Sequence, residues 1–294
     1  MVGSRAPLMS KTTRKSGGEA ANSPGSTIST TVEKKQVEER VAIGAHVVYE
    51  TIRREGEEEL RRPGAALAWS ALAAGLSMGF SFVAEALLMA KLPDAPWRPL
   101  ISRFGYCVGF LVVILGRQQL FTENTLTVIL PLLLRKDTKT LLRVGKLWSI
   151  VLVCNLGGTF IFGACMAHTM LFDAKVQQMF AAIGASHMGA GFGETFLRAL
   201  FAGWLIALMV WLLPGADSSR VTIIIILTYL VGLGGLDHIV AGSTTVFFLV
   251  SQHSVTLLSY FRDFFLPTLL GNVVGGVSLV AALGHAQVTG GKAE

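Results

Sequence analysis

The chain has 294 residues, of which 52% are apolar and only 15% charged, and its mean hydropathy is +0.57. Such a balance argues against a soluble enzyme or binding domain and for a bilayer as the surrounding solvent. The formal charge of +6 lies mainly in the two ends and one loop, so it reads as membrane topology and not as nucleic-acid affinity.

Residues 1–31 are rich in Ser, Thr, Gly and Lys without apolar periodicity, which predicts a disordered basic tail. Residues 32–62 are charged and helix-forming, with a sparse apolar face that includes Val37, Val41, Ile43, Val47, Val48 and Ile52. Such an amphipathic helix either lies along the membrane surface or packs on the cytoplasmic end of a bundle. A solvated helix without a specific role is the alternative.

Six apolar spans follow over residues 63–284, several reaching the roughly 20 residues that a membrane helix needs. The first runs from Pro63 to about Ala90 and carries one acid, Glu85. The second starts near Leu100, is interrupted at Gly116–Thr125 and resumes to Leu134. A basic loop then carries Arg135, Lys136, Lys139, Arg143 and Lys146. The third span covers about 147–170, the fourth 191–213, the fifth 221–250 and the sixth 264–283, before a tail over 285–294. Cys107, Cys154 and Cys165 all lie in spans, without metal-ligand spacing or a disulfide framework, and no cofactor or metal is expected. Eighteen Lys and Arg fall on the side of the termini against about five on the other, which predicts cytoplasmic termini.

The fifth span contains Gly232, Gly234 and Gly235 and then Asp237-His238, a poor continuous helix with ionisable groups inside an apolar stretch. In lipid, such a segment survives only where protein buries it or a polar cavity receives it. The interruption at Thr122 is followed 33 residues later by Asn155-Leu-Gly157-Gly158, and that at His238 is followed 34 residues later by Asn272 and Gly275-Gly276. Three spans per half make this an inverted repeat (about 63–170 and 191–284) with two broken helices, the second and the fifth. The paired glycines, and Gly105 with Gly109, predict close helix packing. Asn155 and Asn272 are expected to support the broken backbone around Gly234, Gly235 and their counterparts.

These features resemble the formate/nitrite transporter family. The residues that carry the likeness are Leu120-Phe121-Thr122, Asn155-Leu-Gly-Gly, Ala207 with Val210-Trp211, Asp237-His238, and Pro267 with Gly271-Asn272 and Gly275-Gly276. The resemblance implies an all-α membrane protein of aquaporin-like fold, a homopentamer in a bacterial inner membrane, with a pore through each subunit. Thr122 and His238 would meet at its centre, and Tyr106, Phe110 and Val231 would line the constrictions, with Val231 in place of an aromatic. Asp237 stands where the family has glutamate, and His187 where a lysine attracts anions. Gly203 and Gly242 stand where the family has asparagines, and Glu123 and Asn124 where it has small or hydroxyl residues.

The function implied is passage of a small monovalent anion of a weak acid, with hydrogen bonding or proton transfer from the central histidine. Asp237 could orient that histidine, Thr122 could donate to the anion or cap the half-helix after it, and Glu123 is expected to point away from the pore. A neutral-solute channel and a non-conducting sensor or scaffold are the rival readings; paired Asn-Pro-Ala turns, which the first would need, are absent from the sequence.

Overall fold

Where lipid replaces water, backbone groups must find partners within the chain, and helices are the direct solution. A computed structural model describes residues 44–290 apart from 217, with side chains described through residue 278. The basic tail and residues 32–43 lie outside the described residues.

The charged segment forms α1 (Ala45–Glu59). Val48 and Ile52 are buried against Leu126, Leu130, Ala207 and Val210. A Cβ on Gly56 would collide with the backbone of Thr127. Of the two placements open in the sequence, the bundle end is therefore the one observed. Arg53 bonds both Glu50 and Glu57, and Arg135 reaches Glu57 at 2.8 Å, tying α1 to the bundle. The two arginines beside Glu50, Arg53 first, hold its carboxyl down to about 2.

The first half continues with α2 (Gly64–Lys91), α3 (Arg98–Ser102), a tight turn (Arg103–Tyr106), α4 (Cys107–Leu115), α5 (Phe121–Thr127), α6 (Ile129–Arg135) and α7 (Thr138–His168). Asp137 accepts from the Thr140 amide at 2.9 Å and starts α7 early. Lys139, Arg143 and Lys146, expected in a loop, therefore sit on its first turns. After α8 (Ala174–Ser186) come α9 (Phe192–Leu212), α10 (Arg220–Leu233), α11 (Ile239–Ser251), α12 (Leu257–Ser259), a widened turn (Tyr260–Phe265) and α13 (Leu266–Gly290). The last helix runs beyond the end near 283 expected from hydropathy. Gly64–Lys91, Arg98–Leu115, Thr138–His168 and Phe192–Gly215 are long and apolar enough to cross a membrane, and Arg220–Leu233 and Ile239–Ser251 are shorter apolar helices. Trp69, Leu142 and Val153 lie on their outer faces, more than half exposed, which suits a surface meeting lipid.

Both halves interrupt a helix in the same way. After α4, the Gln118 amide bonds back to the Val113 carbonyl at 2.9 Å, and after α10 the Leu236 amide bonds to Val231 at 3.0 Å. This closes each helix through a left-handed residue, which is Arg117 (φ 48°) in one half and Gly235 (φ 58°) in the other. The chain then runs extended through Leu120 (φ −107°, ψ 128°) or His238 (φ −112°, ψ 126°) into α5 or α11.

An asparagine holds each extended segment. Asn155 donates to the carbonyls of Gln119 (2.9 Å) and Ala71 (2.7 Å) and accepts from the Phe121 amide (2.9 Å). Asn272 donates to the carbonyls of Asp237 (2.9 Å) and Ala199 (2.7 Å) and accepts from the Ile239 amide (2.8 Å). Gly75 with Gly158, and Gly203 with Gly275, let the long helices of each half approach backbone to backbone. Gly105, Gly109 and Gly276 also sit in tight contacts; Gly157, expected among them, faces open space.

Candidate pore between the two helix breaks

The helix breaks meet in the interior. Thr122 and His238 are completely buried, and Thr122 Oγ1 lies 2.8 Å from His238 Nε2. His238 occupies the cap position of α11, where its Nδ1 accepts the Ala241 amide at 3.2 Å. A nitrogen that accepts an N–H carries a lone pair, so the hydrogen-bond pattern assigns the neutral ring its proton on Nε2. Nε2–H then donates to Thr122 Oγ1, and the threonine hydroxyl keeps its own hydrogen for another acceptor. A second proton on Nδ1 would meet the Ala241 N–H head-on. The amides of Thr122 and Val240 find no acceptor among the described residues, so both half-helix N-termini present a free donor near this bond.

The aromatic ring of Phe110 stands edge-on to His238, with centroids 5.0 Å apart, and Tyr106 is the next ring outward, 5.3 Å from Phe110. Val231 is completely buried in the same core. Two cavities lie on either side. One, of about 360 Å³, opens beneath α1 and is lined by Glu55, Glu59, Arg117, Gln119, Glu123, Asn124 and Arg220, among others. The other, of about 120 Å³, is lined by Arg103, Tyr106, His187, Arg198 and the Gly232–Leu236 segment. Arg198 borders the second cavity and Val210 the first; twelve residues of α9 separate these two positions, about 18 Å of helix.

Several residues sit differently from the sequence expectation. Asp237 is turned away from His238 and binds His187, with Nδ1 to Oδ1 at 2.7 Å. The orienting partner of His238 is the Ala241 amide, because consecutive residues on extended backbone project to opposite sides. Thr122 does not cap α5, since its hydroxyl is engaged with His238 and the cap position belongs to Leu120. Glu123, expected to face elsewhere, borders the cavity beneath α1. Gly203 and Gly242 have no room for a larger side chain: a Cβ on the first would strike the Asn272 backbone, and on the second the Phe264 ring.

Other participants are not assigned by the sequence. Glu85 is almost completely buried and pairs with Arg103 at 2.5 Å. An acid within an apolar span does signal that a cation must come near, but it does not say which one. Gln119 accepts from the Asn124 side chain at 3.0 Å and stiffens the floor of the larger cavity. Burial pushes the Glu55 carboxyl up, opposed by Arg117 across that cavity.

A family model described as "Formate/nitrite transporter" matches residues 46–286. The chain belongs to this family. It is 39% identical over 251 residues to the inner membrane protein YfdC of Escherichia coli (strain K12), covering 85% of this chain and 81% of that one. Two solved structures share its fold. A pentameric formate channel with formate bound matches with a TM-score of 0.64 at 20% identity, over 75% of this chain and 95% of the other. An FNT family ion channel matches with a TM-score of 0.70 at 18% identity, over 83% and 99%. The protein is thus an all-helical membrane transporter and, as a member of a transporter family, not an enzyme.

Proposed function

We propose that this protein passes the small monovalent anions of weak acids, formate and nitrite among them, across the inner membrane. The path runs from the cavity at Arg103 and His187, past Tyr106, Phe110 and Val231, between Thr122 and His238, to the cavity beneath α1. Six spans, each broken pair counting as one, place both termini in the cytoplasm by the positive-inside bias, so the α1 side is the inner mouth. The relatives support assembly as a homopentamer, since the formate-bound neighbour is described as pentameric.

The observation that carries this reading is the buried Thr122–His238 bond between two helix breaks, with a cavity on either side. An anion leaving water for an apolar constriction loses several kcal/mol of solvation. The free Thr122 hydroxyl hydrogen, polarised by Nε2–H behind it, and the two free half-helix amides offset part of that cost. The histidine serves here as a neutral hydrogen-bond donor, because Nδ1 is occupied by the Ala241 amide. At the outer mouth, His187 is held by its bond to Asp237, Nδ1 to Oδ1 at 2.7 Å.

Flux of formate, nitrite, lactate and hydrosulfide into liposomes tests the reading. His238→Ala and Thr122→Val should each lower flux of the transported anions on the order of a hundredfold, the usual effect of deleting a buried donor aimed at developing or desolvated charge. Wild-type rates in both variants would remove the pair from the pathway.

A further inference from the structure

Most cations on the α1 side of the bundle are already used. Arg53, Arg54, Arg61 and Arg62 pair with glutamates of α1, Arg117 and Arg135 reach Glu55 and Glu57, and Arg220 lines the cavity beneath α1. The first turns of α7 differ. Lys139, Arg143 and Lys146 are exposed there, and no carboxylate among the described residues lies within ion-pair distance of them. Asp137, the one acid of that segment, is engaged by the Thr140 amide and hydroxyl.

The three cations follow one another at spacings of four and three residues, so they share one face of α7. The same face continues through Val153, Gly157, Phe160 and Ile161, again at helical spacing. Val153, Phe160 and Ile161 are exposed, and a Cβ on Gly157 would meet nothing within 4 Å. Gly157 therefore leaves a notch between larger apolar side chains, while its neighbour Gly158 packs on the α2 backbone. The second half has no such notch: two residues after Asn272 stands Val274, where Gly157 stands two residues after Asn155. Eleven residues separate Lys146 from Gly157, about 16 Å of helix. That is about half of the roughly 30 Å hydrocarbon core, the depth of one leaflet.

We infer that this face of α7 binds an anionic phospholipid of the inner leaflet. Lys139, Arg143 and Lys146 hold its phosphate, and an acyl chain lies along Val153 into the notch at Gly157. The charge and the length both fit: unpaired cations stand at headgroup level, where long basic side chains extend to the interface, and exposed apolar surface runs from there to the midplane. The leaflet follows from the orientation proposed above; the site itself is independent of the pathway.

The test uses the full chain in detergent. The probes are phosphatidylglycerol, phosphatidylcholine with the same acyl chains, and free glycerol phosphate; the readouts are native mass spectrometry and melting. Wild type should retain phosphatidylglycerol and melt higher with it than with either other probe. Neutralising one cation should weaken that binding about fivefold, and Lys139→Gln, Arg143→Gln and Lys146→Gln together on the order of a hundredfold. Gly157→Leu fills the notch, keeps the charges and should also weaken it, whereas Lys139→Arg with Lys146→Arg should not. Equal retention of the two lipids, a preference that survives the triple substitution, or glycerol phosphate acting as well as the lipid each overturns the inference. So does a triple variant that loses its assembly in both lipids, which makes the face a contact between subunits. Formate flux, measured separately, decides the pathway and is untouched by these outcomes.

Discussion

The two helix breaks are built alike and equipped differently. Each closes its first helix by the same backward amide bond, runs extended for a few residues, and is held by an asparagine that makes three hydrogen bonds to equivalent backbone groups. In this alignment His238 corresponds to Leu120, not to Thr122. One half therefore places an apolar side chain where the other places an imidazole, and its polar contribution comes two residues later. The scaffold that keeps irregular backbone satisfied in an apolar interior is thus the same in both halves, while the side chains projecting from it form an unlike, complementary pair.

If the scaffolds are equivalent, removing either asparagine should cost the same. Asn155→Ala and Asn272→Ala each strand three buried backbone groups, and each should destabilise by on the order of 4 kcal/mol. Denaturation in detergent that finds one tolerated and the other not would break the comparison.

A smaller effect separates the left-handed residues. Gly235→Ala adds a side chain at φ 58° and should cost about 1 kcal/mol, whereas Arg117→Gly relieves the same strain in the other half and should stabilise by up to about 1 kcal/mol. Opposite signs in a melting experiment are the expected result, and equal signs would mean that Arg117 is held there by other contacts.

The smallest difference is one of pH. Asp137 starts α7, and Thr256 holds the corresponding place before α12, accepting the Ser259 amide at 3.1 Å. The Thr140 hydroxyl and amide hold the Asp137 carboxyl below its ordinary value. A depressed folded-state value means stability present above the ordinary carboxylate range and lost as pH falls through the folded one. The deficit of Asp137→Ala should thus be full at neutral pH and shrink in acid, while that of Thr256→Ala stays constant. Parallel melting series in acid and neutral buffer measure both.

Much of this architecture was legible in the chain. The glycine-rich interruption beside Asp237-His238 and the polar one around Thr122 could only be breaks, because lipid offers irregular backbone no solvent. Asparagine followed by paired glycines marked the same construction twice. Other features were not legible. Asp237 follows the rule that neighbours on extended backbone diverge, but nothing local names His187, fifty positions away, as its partner. Glu123 reads from the sequence as a charge to be kept from an anion path, and it borders the cavity beneath α1 because the first turn of α5 points it there. Gly203 and Gly242 looked like lost asparagines, whereas Asn272 and Phe264 fill the space that larger side chains would need.

What the sequence alone determined was everything governed by local and solvent-imposed rules: helices throughout, where they must break, and which polar residues would have to be sheltered. What only the tertiary structure decided was pairing. Which donor meets which acceptor and which carboxylate is neutralised depend on distances between segments far apart in the chain, and those distances are set by how closely the glycine-lined helices pack.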